Sequence, residues 1–311
     1  MAVELRHLRY LLAVAEHANF TRAAEELHVS QPTLSQQIKQ LERAVGAQLL
    51  DRTGRAVRLT DAGATYVHHA RRALRDLAAA ERAVHDVRDL SRGHLRLAVT
   101  PSFSAYLVGP LTAALHSRHP GITLTVEEMP QERIEPALLA DAIDLGIAFG
   151  GAQATGVGAD PLYAETLSLV VGAAHPDARR PESAAPLTTA DLAERQLALL
   201  TGDFTTRGHV DAYLERHRVS PRIAVEANSI QALAEIVRHA PLATVLPDAV
   251  ADGHPDLVRV AVAPPLPPRT VVVLGRTGAY RSAAARAFLR IAQDLVRERG
   301  YATAWWEEGG P

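Results

Sequence analysis

The spacing of apolar positions changes along the chain, and each change marks an element. Leu8, Leu11, Leu12 and Ala15 recur at helical spacing and predict a first helix over Leu5–Ala18. Ala23, Ala24 and Leu27 form the inward stripe of a short second helix, Arg22 to Leu27, with Thr21 as its expected N-cap. His28 and Val29 make a turn. Ser30 caps a third helix, Pro32 falls in its first turn, and Leu34, Ile38, Leu41 and Val45 mark its buried face. From Leu49 to Thr60 the pattern becomes extended on both sides of Thr53-Gly54-Arg55, which predicts a small β-hairpin. Helical spacing then returns over Asp61–Leu90. There Val67, Ala70, Leu74, Leu77 and Val84 occupy heptad a/d positions, broken by Glu81, as in a short dimerisation seam.

From His94 onward apolar runs alternate with amphipathic segments. The runs are Leu95–Thr100, Thr123–Glu128, Asp144–Phe149, Leu167–Gly172, Gln196–Leu200, Ile223–Ala227, Ala243–Leu246 and Thr270–Gly275. This alternation is an α/β signature. Two stretches rich in Gly or Pro, Gly150–Pro161 and Ala263–Pro268, read as crossings between two lobes, and Tyr280–Arg299 reads as a closing helix. The expected organisation is a winged helix-turn-helix over 1–60, a linker and dimerisation helix over 61–90, and a two-lobed α/β domain over 91–311. Its first lobe would hold about 91–161 and 267–311, and its second about 162–266.

The face of the third helix opposite Leu34 carries Pro32, Gln36, Lys39 and Gln40, flanked by Thr33 and Ser35. Glutamine can pair with an adenine edge, and lysine with guanine or phosphate. On spacing alone a merely solvated amphipathic pair fits equally well. The stretch Leu5 to Gly63, however, resembles the N-terminal domain of LysR-type transcriptional regulators. The matching features include Ala23-Ala24, Leu27, Ser30-Gln31-Pro32, Ser35, Ile38, Leu41-Glu42, Gly46, Leu49-Leu50, Arg52, Leu59-Thr60 and Gly63. The resemblance implies DNA contacts from Thr21, Arg22, Gln31, Pro32, Thr33, Ser35, Gln36 and Lys39, and from Arg52 and Arg55 of the wing. Arg52 has an alternative in an ion pair with Asp51 or Asp61. The implied partners are operator DNA, a small effector, RNA polymerase, and a second copy in a dimer or tetramer.

Composition changes this picture little. Net charge is −2, but residues 1–90 carry 13 Lys+Arg against 11 Asp+Glu, so the basic excess lies in the part expected to meet DNA. So slight an excess calls for a few placed phosphate contacts and for more than one copy of the domain. The absence of cysteine excludes disulfides, and no apolar run approaches the ~20 residues of a membrane span. The expected location is cytoplasmic. No G-x-S-x-G elbow or Gly-Lys-Ser/Thr loop occurs, His68-His69 point apart on a helix, and no reaction is expected.

The later segments, among them DLGIAFG, EMPQERIE and IAVEANSIQAL, resemble the family's effector domain and, within it, cyanate-operon regulators. In α/β lobes, ligands sit beyond strand C-termini. By that rule Thr100 and Ser102, Thr201 and Phe204, and Asn228 and Ser229 are candidate effector contacts, with Phe149 as an apolar wall. The hydroxyls and the amide also serve as ordinary helix caps. Helix starts suit a small anion. Cyanate is the effector suggested by the resemblance; another small carboxylate, or a solute-binding module without DNA function, are the alternatives.

Overall fold

The computed structural model describes residues 3–54, 56–86, 93–181 and 183–301. The chain forms two compact units, one ending at His85 and the other beginning at Asp86.

In the first unit, α1 (Leu5–His17) buries Leu8, Leu11 and Val14 and stops at Ala18, whose φ of 49° ends the helix. Helix α2 (Phe20–Glu26) begins earlier than its apolar stripe suggests. Its cap is Asn19, not Thr21: the Asn19 carboxamide oxygen accepts from the N–H groups of Thr21 at 2.8 Å and Arg22 at 3.1 Å. Asparagine outranks threonine as an N-cap, and it lies just before the first helical residue. Ser30 caps α3 (Gln31–Val45) as expected, accepting from Thr33 N–H at 3.3 Å. Leu34, Ile38 and Leu41 are fully buried against Leu11, Val14, Ala23 and Ala24.

Strands β1 (Leu50–Asp51) and β2 (Arg58–Leu59) pair antiparallel as the predicted hairpin. Helix α4 (Asp61–Asp86) follows at once. The Thr60 hydroxyl donates to Gln48 O at 2.7 Å and accepts from Gly63 N–H at 3.0 Å, so the helix start is tied to the base of the wing. Val67 packs into the core of this unit, so the first position of the expected seam is a core position. Leu77 lies exposed, as an uncovered seam position would. The side chains of Glu81 and Val84 lie outside the described residues.

The second unit contains two five-stranded sheets. The first uses β3 (Gly93–Val99), β4 (Ile122–Glu128), β5 (Leu145–Phe149), β6 (Val157–Glu165) and β14 (Arg269–Arg276), in the order β4-β3-β5-β14-β6. The second uses β7 (Leu167–Gly172), β9 (Gln196–Leu200), β10 (Arg222–Ala227), β11 (Ala243–Pro247) and β12 (Leu257–Val260), in the order β10-β9-β11-β7-β12. A small parallel pair joins β8 (Leu187–Thr188) to β13 (Val262–Ala263). Helices α5 (Pro101–Ser104), α6 (Val108–Arg118), α7 (Gln131–Leu139) and α12 (Ala283–Glu298) accompany the first sheet. Helices α8 (Thr189–Ala193), α9 (Thr205–Arg216), α10 (Ile230–His239) and α11 (Asp248–Asp252) accompany the second.

All eight expected runs are strands. The first crossing differs from expectation. Residues 157–161, read as the end of that crossing, open strand β6, which runs to Glu165 and pairs with β14 along its whole length. The chain therefore leaves the first lobe at Thr166, not near 161. Gly158 and Pro161 hid the strand, but β6 pairs with β14 alone and ends the sheet, where proline is tolerated.

Beside β7, Asp177 is nearly buried and accepts from Arg195 Nε at 2.8 Å and Nη2 at 3.1 Å. The Arg195 guanidinium holds the Asp177 carboxyl below the usual carboxylate range. A carboxyl depressed in the folded state stabilises the fold above its unfolded pKa, and that contribution is lost as pH falls through the folded value. The stability gap between wild type and Asp177→Asn should thus be constant above about pH 5 and shrink below about pH 4. Urea unfolding across that range checks it, and a gap unchanged down to pH 3 would refute it.

Candidate nucleic-acid interface and inter-lobe cavity

Burying Leu34, Ile38 and Leu41 leaves the opposite face of α3 outward. Gln31, Pro32, Thr33, Gln36 and Lys39 are exposed, Ser35 is half-buried, and Thr21 and Arg22 are exposed at the start of α2. These residues form one hydrogen-bonding surface at the N-terminal half of a helix, where side chains of a docked helix meet base edges. His7, buried in α1, pairs with Gln37 across a 3.0 Å contact and fixes α3 against the helix behind it.

Arg52 departs from expectation. It donates to Glu42 Oε2 at 2.9 Å and lies over the Phe20 ring at 5.3 Å, so the structure places it as a wing anchor rather than a free phosphate contact. Its partner is neither Asp51 nor Asp61. The other Glu42 oxygen accepts from the N–H groups of Leu49 at 3.0 Å and Leu50 at 3.1 Å. One carboxylate of α3 thereby holds three donors of the wing, a role hidden by the 7-residue sequence gap to Leu49. Arg55 lies outside the described residues.

In the second unit, a cavity of about 190 Å³ opens between the lobes. Its walls come from the C-terminal ends of parallel strands: Thr100 and Ser102 after β3, Glu128 at the end of β4, Asp203 and Phe204 after β9, and Asn228 after β10. This is the place that open α/β sheets offer a ligand. Four expected contacts, Thr100, Ser102, Phe204 and Asn228, line it. The other three do not. Thr201 donates its hydroxyl to Asp203, Ser229 caps α10 through Ala232 N–H at 3.3 Å, and Phe149 is buried behind the wall against Phe103. Glu128, Gln131, Asp203 and Thr205 were missed, although the strand-end rule that selects Thr100 also selects Glu128. Gln131 is held rigidly, exchanging two hydrogen bonds with the Phe149 backbone at 3.0 and 3.1 Å.

Behind the cavity runs a chain of buried polar groups. Ser102 Oγ lies 3.0 Å from Thr206 Oγ1, linking the two lobes. Arg269 donates from Nη2 to Thr206 Oγ1 at 2.9 Å and from Nε to Glu165 at 2.6 Å, and its guanidinium lies 3.6 Å from the Phe149 ring centroid. Tyr106 donates to Glu165 and contacts the Tyr163 hydroxyl. Burial pushes both phenols well above their ordinary range, and the Glu165 charge adds to it. Among the described residues, two buried atoms in this region have no partner, Thr100 Oγ1 and Arg269 Nη1.

Residues 5–64 match the family model described as bacterial regulatory helix-turn-helix protein, lysR family, and residues 88–297 match the LysR substrate binding domain. The chain belongs to the LysR family. It is a DNA-binding transcriptional regulator with an effector-binding domain. It is 31% identical over 238 residues to the RuBisCO operon transcriptional regulator of Allochromatium vinosum, covering 76% of this chain and 77% of that one. It is 32% identical over 250 residues to the nitrogen assimilation regulatory protein nac of Klebsiella aerogenes, covering 80% of each. The match to CfxR of Cupriavidus necator, 36% identical, spans 56% of this chain and 55% of the relative. Among solved structures, a full-length OxyR variant from Pseudomonas aeruginosa superposes with a TM-score of 0.67 at 26% identity, covering 96% and 95% of the two chains. CbnR in complex with its target DNA shares the fold, with a TM-score of 0.54 at 24% identity. These relatives do not carry the finer resemblance to cyanate-operon regulators. Among the described residues no helix is long and apolar enough to cross a membrane.

Proposed function

We propose that α3 of this LysR-family regulator reads the major groove, that α4 pairs with a second copy, and that a ligand in the inter-lobe cavity sets the DNA geometry of the assembly. The observation that carries the reading is the sharp division of α3, with Leu34, Ile38 and Leu41 sealed in the core and Gln31, Thr33, Gln36 and Lys39 outside. Thr21, Arg22, Pro32 and Ser35 frame that surface and contact the backbone. Arg52 acts by holding the wing. The exposed Leu77 is a position that a partner helix would cover.

Cyanate would meet Thr100, Ser102 and Asn228 in the cavity, but it would also meet Glu128 and Asp203, and among the described residues no basic side chain lines that space. We therefore propose an effector other than a simple monoanion.

The test is footprinting on the DNA upstream of the protein's own gene. Gln36→Ala with Lys39→Ala should weaken specific binding by ~1–3 kcal/mol for each base edge left unpaired. Discrimination over unrelated DNA should fall with it. Unchanged protection by the double variant would remove α3 from the interface.

A further inference from the structure

We infer that the inter-lobe cavity recognises a zwitterion of the amino-acid type, its ammonium on the cavity's carboxylates and its carboxylate on the hydroxyl and amide donors. The inference rests on the cavity being the effector site proposed above.

The carboxylates are those of Glu128 and Asp203. A second cavity of about 510 Å³ shares Gln131 and Thr205 with the first and adds Glu132 and Glu135. Among the described residues, the lining of both spaces contains these four carboxylates and no Arg, Lys or His. Like charges gathered around a concave, partly desolvated space favour a counter-charge there. Glu135 accepts from Ala154 N–H at 2.8 Å and Asp203 from the Thr201 hydroxyl, which leaves both with further acceptor capacity. A metal ion does not answer this charge, since no group of three metal-binding side chains occurs among the described residues. An organic ammonium does.

The same space also offers hydrogen-bond donors. Thr100 is 3% exposed, lines the cavity, and its Oγ1 has no hydrogen-bond partner. A buried hydroxyl left unpaired is costly, and turning it into the cavity toward a ligand acceptor would satisfy it. The 12-residue helix α9 starts at Thr205, which lines the same space; Arg207 N–H donates to Phe204 O at 2.9 Å, which leaves the N–H groups of Thr205 and Thr206 as the first-turn donors without an intrahelical partner. A carboxylate there would take the Thr100 hydroxyl and the α9 amides together. The volume of about 190 Å³ lies below the ~300–1,000 Å³ of drug-sized sites and suits a small metabolite.

The experiment is calorimetric titration of the full-length protein with each of the twenty protein amino acids. For each one that binds, its des-amino acid and its decarboxylated amine are titrated in parallel. At least one amino acid should bind, and both truncated analogues should bind at least tenfold more weakly. Glu128→Gln combined with Asp203→Asn should raise Kd about tenfold, through removal of charge-assisted hydrogen bonds. Thr100→Val should weaken binding while keeping the melting temperature, because its hydroxyl has no internal bond to lose. Absence of binding by all twenty overturns the inference, as does equal binding of the des-amino acids or of the bare amines. The outcomes separate this inference from the regulatory reading. Amino-acid binding that leaves the footprint unchanged keeps the ligand class and removes the effector role. A footprint altered by cyanate or acetate but by no amino acid keeps the regulator and removes the zwitterion.

Discussion

Gly63→Ala should destabilise the N-terminal unit by about 3 kcal/mol or more, at the upper end of the range for overpacked sites. A Cβ added at Gly63 would lie 1.9 Å from the carbonyl oxygen of Leu49 and 2.8 Å from its carbonyl carbon. The clash is with backbone, which no rotamer change relieves. That same oxygen accepts from Thr60 N–H at 3.0 Å, so moving it also opens the base of the wing. The first turn of α4 and the hairpin would part, and Glu42 would lose its fixed geometry with Leu49 and Leu50. Thermal unfolding of the unit should show the destabilisation, and specific DNA affinity should fall although no DNA-facing side chain has changed. A variant with wild-type melting and affinity would mean that the contact between wing and helix relaxes freely.

Glu165→Ala should cost about 3–5 kcal/mol in the second unit, the range for breaking one side of a buried ion pair. Glu165 and Arg269 are both buried, and the substitution would strand the guanidinium and the Tyr106 hydroxyl together. A unit of this size loses roughly 2–4 °C of melting temperature per kcal/mol, so the drop should exceed about 6 °C. Pairing Glu165→Leu with Arg269→Met removes both charges and should recover much of the stability. A double variant as unstable as the single one would show that the ring contact between Arg269 and Phe149, not the charge pair, holds the region. Glu165 closes the last strand before the chain enters the second lobe, and Arg269 opens the first strand after it returns. The pair therefore sits at the two crossings between the lobes, one hydroxyl away from Ser102 in the cavity wall.

Most of the helical and strand pattern is legible because it is periodic. The stripe of α3 follows from its helical period, and most of the eight strands from continuous apolar runs set between amphipathic segments. Strand β6 is not legible, since Gly158 and Pro161 read as breakers and only pairing with β14 offsets them. The cap of α2 is misread because Thr21 stands at the start of the apolar stripe, whereas the first turn begins before it. The cavity is partly legible. Thr100, Ser102, Phe204 and Asn228 follow from their places after strands, but the acidic character of the wall does not, because Glu128 and Asp203 come from different lobes, and only the fold brings them together. Glu165 and Arg269, 104 residues apart, carry no local signal of their pairing.

The close seat of Gly63 on Leu49 has a mechanical meaning. Glu42 fastens the wing to α3, and Gly63 lets α4 start without a gap against the wing, so α3 and the base of the long helix form one stiff piece. The 26 residues of α4 extend about 39 Å at 1.5 Å per residue. A tilt of about 5° at the wing then sweeps the far end through about 3.4 Å, the rise between successive bases along one DNA strand. Absence of a single methyl group is what allows the lever to grip its fulcrum.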